Sequence, residues 1–225
     1  MDLKYEDLID RVNINEEEFG LVECVYFGAI KKLELVQKDL NKLDDIQHVR
    51  RVIKPFLIQW GMMGRVVGRE GLDWKKLGET LRLLENQFGK LRNKKFLTIN
   101  FNEENISNNI REIYQKIRGI RYIGGHTCTP KILHLLNPEI FVMWDEEIRK
   151  KYHNKNGRIR DSPEGYLEFL KEAQKELKEA LEDRQRNTGK GLDDVEEEIR
   201  HKYKNKTLAR IIDEYNWIVA HPLKE

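Results

Sequence analysis

The sequence contains little cysteine: Cys24 and Cys128 are the two cysteines among 225 residues. Two cysteines are too few for a disulfide framework, a four-cysteine zinc site or an iron–sulfur cluster. A free cysteine usually behaves as a small hydrophobic residue, so we interpret Cys24 as a core residue of an apolar helix. Cys128 lies at a turn-to-helix junction, where a thiol pKa can fall, but packing is the favoured interpretation there as well.

Long hydrophobic runs are also missing. No apolar run approaches the roughly 20 residues that a membrane-spanning helix needs. The first residues, MDLKYEDLID, lack the basic and apolar regions of a signal peptide. Hydrophobic residues make up 39% of the chain and charged residues 36%, which is too apolar for a disordered chain and too charged for a membrane protein. We therefore predict a cytoplasmic protein without a membrane partner.

The common motifs of cofactor and metal sites are absent from the sequence. It contains neither GxxxxGKS/T nor GxGxxG, and no GxSxG marks a serine nucleophile. Its six histidines show no HExxH motif and no paired ligand spacing. We therefore predict no nucleotide loop, no metal site and no cofactor.

Charge is balanced over the whole chain but not along it. The net charge is +2, yet residues 1–50 carry 7 Lys and Arg against 12 Asp and Glu, and residues 111–160 carry 11 against 5. Six of these 11 basic residues lie between Arg149 and Arg160, with no acidic residue among them. Such asymmetry can mark a face that meets a polyanion, and a solvated helix face is the alternative. The abundance of Lys, Glu and Ile is compatible with a thermophilic source.

Nearly every segment of the chain follows the helical period, which predicts an all-α fold. We predict one helical domain with a first lobe over 1–100, a hairpin-containing lobe over 101–160, and C-terminal helices over 161–225 that pack back on them. Lys94–Phe101 alternates and is predicted as a short strand or an extended link. The predicted helix starts are a cap at Asn15 for a helix reaching Val36, a kink or restart after Ile53 at Pro55, and caps at Asp73, Asn102 and Ser162.

The stretch from Gly119 to Tyr152 carries the most distinctive features. A Gly-rich turn precedes a short apolar helix, for which we predict Thr129 as the N-cap and Pro130 as the first residue. The first N–H groups of a helix have no partner within it and the dipole is positive there, so such a turn can bind a phosphate. Ordinary loop chemistry is the alternative. The residues that could supply backbone amides or charge are Gly124, Gly125, His126, Thr127, Thr129, Arg121 and Lys131.

Asp145 is the candidate catalytic residue. It follows the apolar run Ile140–Trp144, after the preceding helix ends at Asn137-Pro138. A carboxylate at the end of such a run can be partly desolvated, and its pKa can then rise into the range of a general base. The alternative role is the N-cap of the next, basic helix, and one aspartate can fill both roles.

The hairpin, helix and aspartate together resemble the helix-hairpin-helix DNA glycosylase superfamily. The hairpin corresponds to Ile123–Thr127, the helix to Thr129–Leu136 and the catalytic aspartate to Asp145. Of the two hairpin glycines in the family pattern, the second is matched, by Gly125. The catalytic lysine of lyase-type members falls on Thr127, so lyase chemistry is not implied. The segments WGMMGR and KILHLLNPEIFVMWD also resemble an uncharacterised prokaryotic family.

The resemblance implies DNA as the partner and a base that leaves the stack before chemistry. Asp145 would stabilise positive charge on the sugar or activate a water, while Arg149 and Lys150 would contact phosphates and make binding salt-dependent. Two alternatives stay open: a non-catalytic helix-hairpin-helix module, and a helical protein without a nucleic-acid role whose charge asymmetry serves self-association. The sequence does not define the oligomeric state. The aromatic residues that could stack on a base are Trp60, Tyr122 and Trp144, although each is more simply explained as a core residue.

Overall fold

The computed structural model describes residues 3–19, 23–59, 64, 73–121, 125–157, 159–203 and 206–222. Within these residues the chain forms helices and turns and no strand, which confirms the all-α prediction. None of the described helices is long and apolar enough to cross a bilayer. The helices are α1 (Tyr5–Phe19), α2 (Glu23–Lys32), α3 (Glu34–Lys38), α4 (Lys54–Gln59), α5 (Trp74–Leu83), α6 (Glu85–Gly89), α7 (Glu104–Arg118), α8 (Cys128–Leu136), α9 (Glu146–Asn156), α10 (Pro163–Thr188), α11 (Leu192–Lys202) and α12 (Leu208–Ala220), with a 3-10 turn at Leu40–Lys42 and a π-helix at Asp45–Ile53.

The N-terminal helix α1 runs through Asn15, the position predicted as the start of the next helix. Asn15 is 4% exposed and lies within α1, so its predicted role as an N-cap is wrong. The apolar face that includes Leu8 and Val12 is buried, and α1 packs against α12. This burial outweighs the local capping preference of asparagine. The helix predicted to reach Val36 is divided into α2 and α3, which meet at Leu33.

Helix α2 turns a glutamate inward rather than a cysteine. Glu23, Tyr26 and Ala29 are buried at the spacing of one helix face, whereas Cys24 is exposed, so the prediction of Cys24 as a core residue is wrong. The cause is a buried ion pair, because Glu23 Oε1 lies 2.5 Å from Arg210 Nη2. A partner of this kind is what keeps a carboxylate in a protein core.

Three predicted helix starts agree with the structure. Asp73 accepts a hydrogen bond from the backbone N–H three residues on at 2.7 Å and caps α5. Ser162 accepts the equivalent bond at 3.0 Å and caps α10, whose first residue is Pro163. The chain also restarts as an α-helix after the π-helix, with Pro55 in the first turn of α4. These starts were predictable because each depends on neighbouring residues alone.

The segment Lys94–Phe101 forms turns, so the strand alternative is wrong. Its buried side chains pack against helices, and Gln174 of α10 donates from Nε2 to two carbonyl oxygens of the segment, at 2.5 and 2.8 Å. The N-cap of α7 is Glu103, so the predicted cap at Asn102 is wrong. The backbone N–H of Asn102 instead donates to Asn100 Oδ1 at 3.0 Å, which closes a turn just before the helix.

Helices from both ends of the sequence share one hydrophobic core. α1 packs against α12 and α10, and α10 packs against α7. At the centre, Tyr166 of α10 stacks on Tyr114 of α7 with ring centroids 4.6 Å apart and lies edge-on to Trp144 at 5.2 Å. This packing fixes the segment that precedes Asp145. The boundaries of the two lobes stay a prediction.

Candidate functional site

Helix α8 begins earlier than predicted. Thr127 occupies the N-cap without a side-chain capping bond, and the backbone N–H of Thr129 donates to the Gly125 carbonyl oxygen at 2.9 Å. That bond extends the helical pattern back to the turn, so Thr129 as N-cap and Pro130 as first residue are wrong. Every residue of α8 is buried, which makes it a core helix.

Two side chains of α8 that could carry chemistry lie inside the protein. Lys131 is 9% exposed. Burial lowers the pKa of Lys131, although the charges of Asp145 and Asp213 act in the opposite direction. Its amine is therefore in the interior, not on a surface where it could bind a phosphate of DNA. Burial raises the pKa of the Cys128 thiol to about 12, which agrees with the packing role predicted for it.

Asp145 is held through both of its carboxylate oxygens. Oδ1 accepts a hydrogen bond from Ile148 N at 3.0 Å, which confirms the predicted N-cap of α9. Oδ2 lies 2.7 Å from Nε2 of His221. The Asp145 side chain is 16% exposed, so the carboxylate has a fixed position and still reaches solvent.

His221 reaches Asp145 from the far end of the chain. It directly follows α12, and its ring lies on Trp217 with ring centroids 4.0 Å apart. The imidazole is 30% exposed. His221 is missing from the sequence-based site because 76 residues separate it from Asp145 and no spacing rule connects them. The sequence feature that could have indicated His221 is its position at the end of an apolar helix, since the C-terminal helices were expected to pack on the core.

The apolar segment before Asp145 is hydrogen-bonded to the turn that precedes α8. Residues 140–144 are buried, and Trp144 Nε1 donates to the His126 carbonyl oxygen at 2.8 Å. Trp144 is 1% exposed, which confirms the core role that was the simpler expectation for it, and it does not offer a surface on which a base could stack. The predicted site residues that lie outside the described part of the chain are Trp60, Tyr122 and Gly124.

Two basic side chains lie beside the Asp161 carboxylate, and the charge of a third, Arg149, also acts on it. Arg118 donates to Asp161 twice, from Nε to Oδ1 at 3.0 Å and from Nη2 to Oδ2 at 2.7 Å, and His126 Nδ1 lies 3.7 Å from Oδ2. Burial raises the pKa of Asp161, but Arg118, followed by His126 and Arg149, outweighs this effect and lowers it. We call these four residues the Asp161 cluster. Arg118 and Asp161 are new to the site, since 43 residues separate them in sequence.

The other predicted phosphate contacts have different surroundings. Lys150 lies 3.1 Å from Glu146 and 2.9 Å from Glu147 on its own helix, so acidic side chains already offset its charge. Arg121 lines a groove of about 510 Å³ between α5 and α7, together with Lys116. The structure thus brings His126 and Arg149 into one cluster and places Arg121 in a separate groove.

Gly125 has open space around it. A Cβ atom on this residue would meet no other atom of the described residues within 4 Å. Packing therefore does not require glycine at this position. The space is suited to the close approach of a ligand backbone, which is a common reason for glycine in a loop.

A buried ionic network holds α12 against α2. Lys206 Nζ lies 2.5 Å from Glu214 Oε1 and 3.4 Å from Glu23 Oε2, and Arg210 Nη2 lies 2.9 Å from Glu214 Oε1. Arg210 also pairs with Asp213. All five side chains are buried, and buried charges persist in a core when they are paired in this way. The network therefore fixes the helix whose end presents the imidazole to Asp145.

Neither metal geometry nor similarity assigns the site a function. Among the residues that the structure describes, no group of three or more His, Cys, Asp or Glu could hold a metal ion. Comparisons of the chain with protein-family models, with curated proteins and with solved structures found no match. The functional proposal therefore rests on the chemistry of the site.

Proposed function

We propose that the protein binds DNA and acts in the manner of base-excision DNA glycosylases, with Asp145 as the catalytic carboxylate. The observation that carries the proposal is the pair of Asp145 and His221, in which an imidazole lies 2.7 Å from a carboxylate that is 16% exposed. A general base needs a fixed position and access to its proton donor. The hairpin adjoins this pair, because Trp144 precedes Asp145 and binds the backbone of His126.

The proposed reaction is hydrolysis of an N-glycosidic bond after the base has left the stack. A water oxygen forms a bond to C1′ of the deoxyribose while the bond from C1′ to the base breaks. Asp145 accepts the proton of the water and offsets the positive charge that develops on the sugar. The departing base takes a proton from solvent. The burial of Lys131 and the threonine at position 127 favour water over an amine as the nucleophile.

The proposed DNA contacts lie on the hairpin side of Asp145. Gly125 leaves room for a nucleic-acid backbone. Arg149 supplies positive charge that acts on Asp161, and His126 adds to it when the imidazole is protonated. Contacts of this kind position DNA without reading its sequence, and they make affinity fall as salt increases.

A non-catalytic DNA-binding module is the second candidate function, and one observation favours it. Both oxygens of Asp145 already have partners within the fold, the backbone of Ile148 and the ring of His221. These two contacts account for the aspartate as a helix cap without any reaction. In that case the hairpin still binds DNA, and Asp145 only positions α9.

Base release from duplexes that each carry one damaged base tests the catalytic role, with Asp145→Asn as the key variant. Asparagine is a good N-cap, so the variant keeps the start of α9 and loses the ionisable group. We expect base release to fall roughly 100-fold or more, the usual contribution of a general base. DNA affinity should stay the same or rise, because a negative charge near the phosphates is lost.

Asp73→Asn is the matched control, since Asp73 caps α5 through the same hydrogen bond. It should release bases at the wild-type rate. Wild-type release by Asp145→Asn would refute the catalytic role. DNA binding without release by any variant would favour the non-catalytic module, and no DNA binding at low salt would favour a helical protein without a nucleic-acid role.

A further inference from the structure

We propose that the Asp161 cluster is a binding site for a single phosphate group. Its residues come from four separate parts of the chain. Arg118 is the last residue of α7, His126 lies in the hairpin, Arg149 belongs to α9, and Asp161 precedes α10. Their convergence therefore depends on the whole fold and not on one charged helix face.

The cluster has more hydrogen-bond donors than its carboxylate satisfies. Each oxygen of Asp161 already accepts a bond from Arg118, and His126 Nδ1 at 3.7 Å is beyond hydrogen-bond distance. Arg149 Nε is buried and makes no hydrogen bond with the described residues, and the buried Tyr114 hydroxyl beside the cluster has no partner there in full hydrogen-bonding geometry. Buried donors normally have partners, so this site suits a ligand rich in acceptors.

Tyr114 is the least expected member of the site. Its side chain is fully buried, between Tyr166 at 4.6 Å and Trp144 at 6.4 Å, measured from ring centroid to ring centroid. Burial raises the pKa of the Tyr114 hydroxyl, the charge of Asp161 raises it further, and Arg118 lowers it. The hydroxyl therefore keeps its proton, and it interacts with Asp161 and Trp144 without a partner in full hydrogen-bonding geometry.

A phosphate group matches these donors because it offers more acceptor oxygens than a carboxylate and binds arginine side-on. Arg118 already uses that geometry with Asp161, so a phosphate can replace the carboxylate or share its donors. A second acid, Glu146, acts on His126 and Arg149, but it is exposed and its main partner is Lys150. The inference deepens the proposed function and rests on it for the assignment of the phosphate to DNA. A free phosphate has the same chemistry.

NMR titration of the full-length protein with inorganic phosphate, against sodium chloride at equal ionic strength, tests the site. We expect saturable shifts of the Arg118 and Arg149 Nε–H signals and of the His126 ring. Arg118→Gln should weaken phosphate binding roughly tenfold, the effect of losing a charge-assisted hydrogen bond. Arg186→Gln, an exposed position near the other end of α10, is the matched control and should bind phosphate as the wild type does.

Tyr114→Phe is a second variant, which distinguishes a lost phosphate contact from a loss of folding. It removes a buried hydroxyl that has no partner in full hydrogen-bonding geometry among the described residues, so the free energy of unfolding without phosphate should change little. Phosphate affinity should still fall several-fold, because the bound phosphate loses a donor. Shifts that are absent, or that are the same in wild type, Arg118→Gln and Tyr114→Phe, would overturn the proposal.

Competition with DNA distinguishes the sources of the phosphate. If the DNA backbone occupies the site, an undamaged duplex should displace inorganic phosphate, and Arg118→Gln and Tyr114→Phe should weaken duplex binding. Phosphate shifts without DNA binding would support a free-phosphate site and refute the proposed function. DNA binding that both substitutions leave unchanged would overturn the phosphate site while the proposed function stands.

Discussion

At the scale of the residue, burial decides which predicted groups can meet a ligand. Asp145 was predictable as a cap because the capping bond involves only the next few residues. The burial of Lys131 was not predictable, since it depends on the helices that cover α8. The contact of His221 with Asp145 was likewise hidden, because it exists only after α12 has docked.

Gly165 is a residue whose substitution should disturb the site through the backbone. A Cβ atom there would lie 1.9 Å from the Arg160 carbonyl oxygen, so the loop that carries Asp161 must move. Gly165→Ala should therefore lower the free energy of unfolding by about 2 kcal/mol or more in urea. Gly28→Ala is the control, because its Cβ meets nothing within 4 Å in α2, and it should be neutral or stabilise by up to about 1 kcal/mol. Equal losses in the two variants would contradict this account.

His134 should make the protein less stable in acid. Its Nδ1 donates to the Phe141 carbonyl oxygen at 2.6 Å, its Nε2 accepts from the Tyr26 hydroxyl at 2.8 Å, and burial lowers its pKa from 6.5 to about 3. Between these values the unfolded chain binds a proton that the folded protein does not. The free energy of unfolding should thus fall as pH decreases through this window, by about 1.4 kcal/mol per pH unit from this group.

Urea unfolding between pH 7 and pH 4 measures this dependence. His134→Gln should be less stable than the wild type at pH 7 because the buried ring is lost, but its stability should fall less steeply with acid. The same slope in both proteins would show that His134 does not titrate between the folded and unfolded states as described.

At the scale of the element, capping residues predict where a helix starts. They predict less well how far a helix extends, and alternation alone does not predict whether a segment is a strand. Ser162 and Asp73 cap their helices as their sequences indicate. Lys94–Phe101 has the alternation of a strand, but no neighbouring strand exists in the described residues, and α10 binds its backbone instead. Asn15 has the character of a cap and lies inside α1, because the packing of the whole helix on α12 decides its length.

The ionic network between α2 and α12 should be more important to stability than any surface ion pair. Arg210→Met leaves Glu23 and Asp213 in the core without their main cation, and we expect a loss of about 3–5 kcal/mol in the free energy of unfolding. Lys116→Gln breaks a pair with Glu112 at 2.6 Å whose side chains are 47% and 40% exposed, and it should cost less than about 1 kcal/mol. A loss of similar size in the two variants, measured in urea, would argue against the structural role of the network.

At the scale of the whole molecule, the fold brings distant parts of the chain to one place. The basic region over 111–160 was predictable from charge, and it supplies Arg118, His126 and Arg149 to the Asp161 cluster. The charge pattern does not predict that the Asp161 carboxylate, just beyond this region, lies beside these basic residues. It also does not predict that the His221 imidazole reaches Asp145 from the C-terminal end. Both depend on how α10 and α12 pack against the rest of the core.

DNA binding is the central claim, and binding of a fluorescent duplex that contains an abasic-site analogue, beside an undamaged duplex, tests it most directly. Titration with salt should show tighter binding to the abasic duplex and an affinity that falls steeply as salt increases, as expected when several phosphates are contacted. Equal affinity for the two duplexes would favour the non-catalytic module. No binding of either duplex at low salt would contradict the account of the hairpin, Asp145 and the Asp161 cluster as a nucleic-acid site.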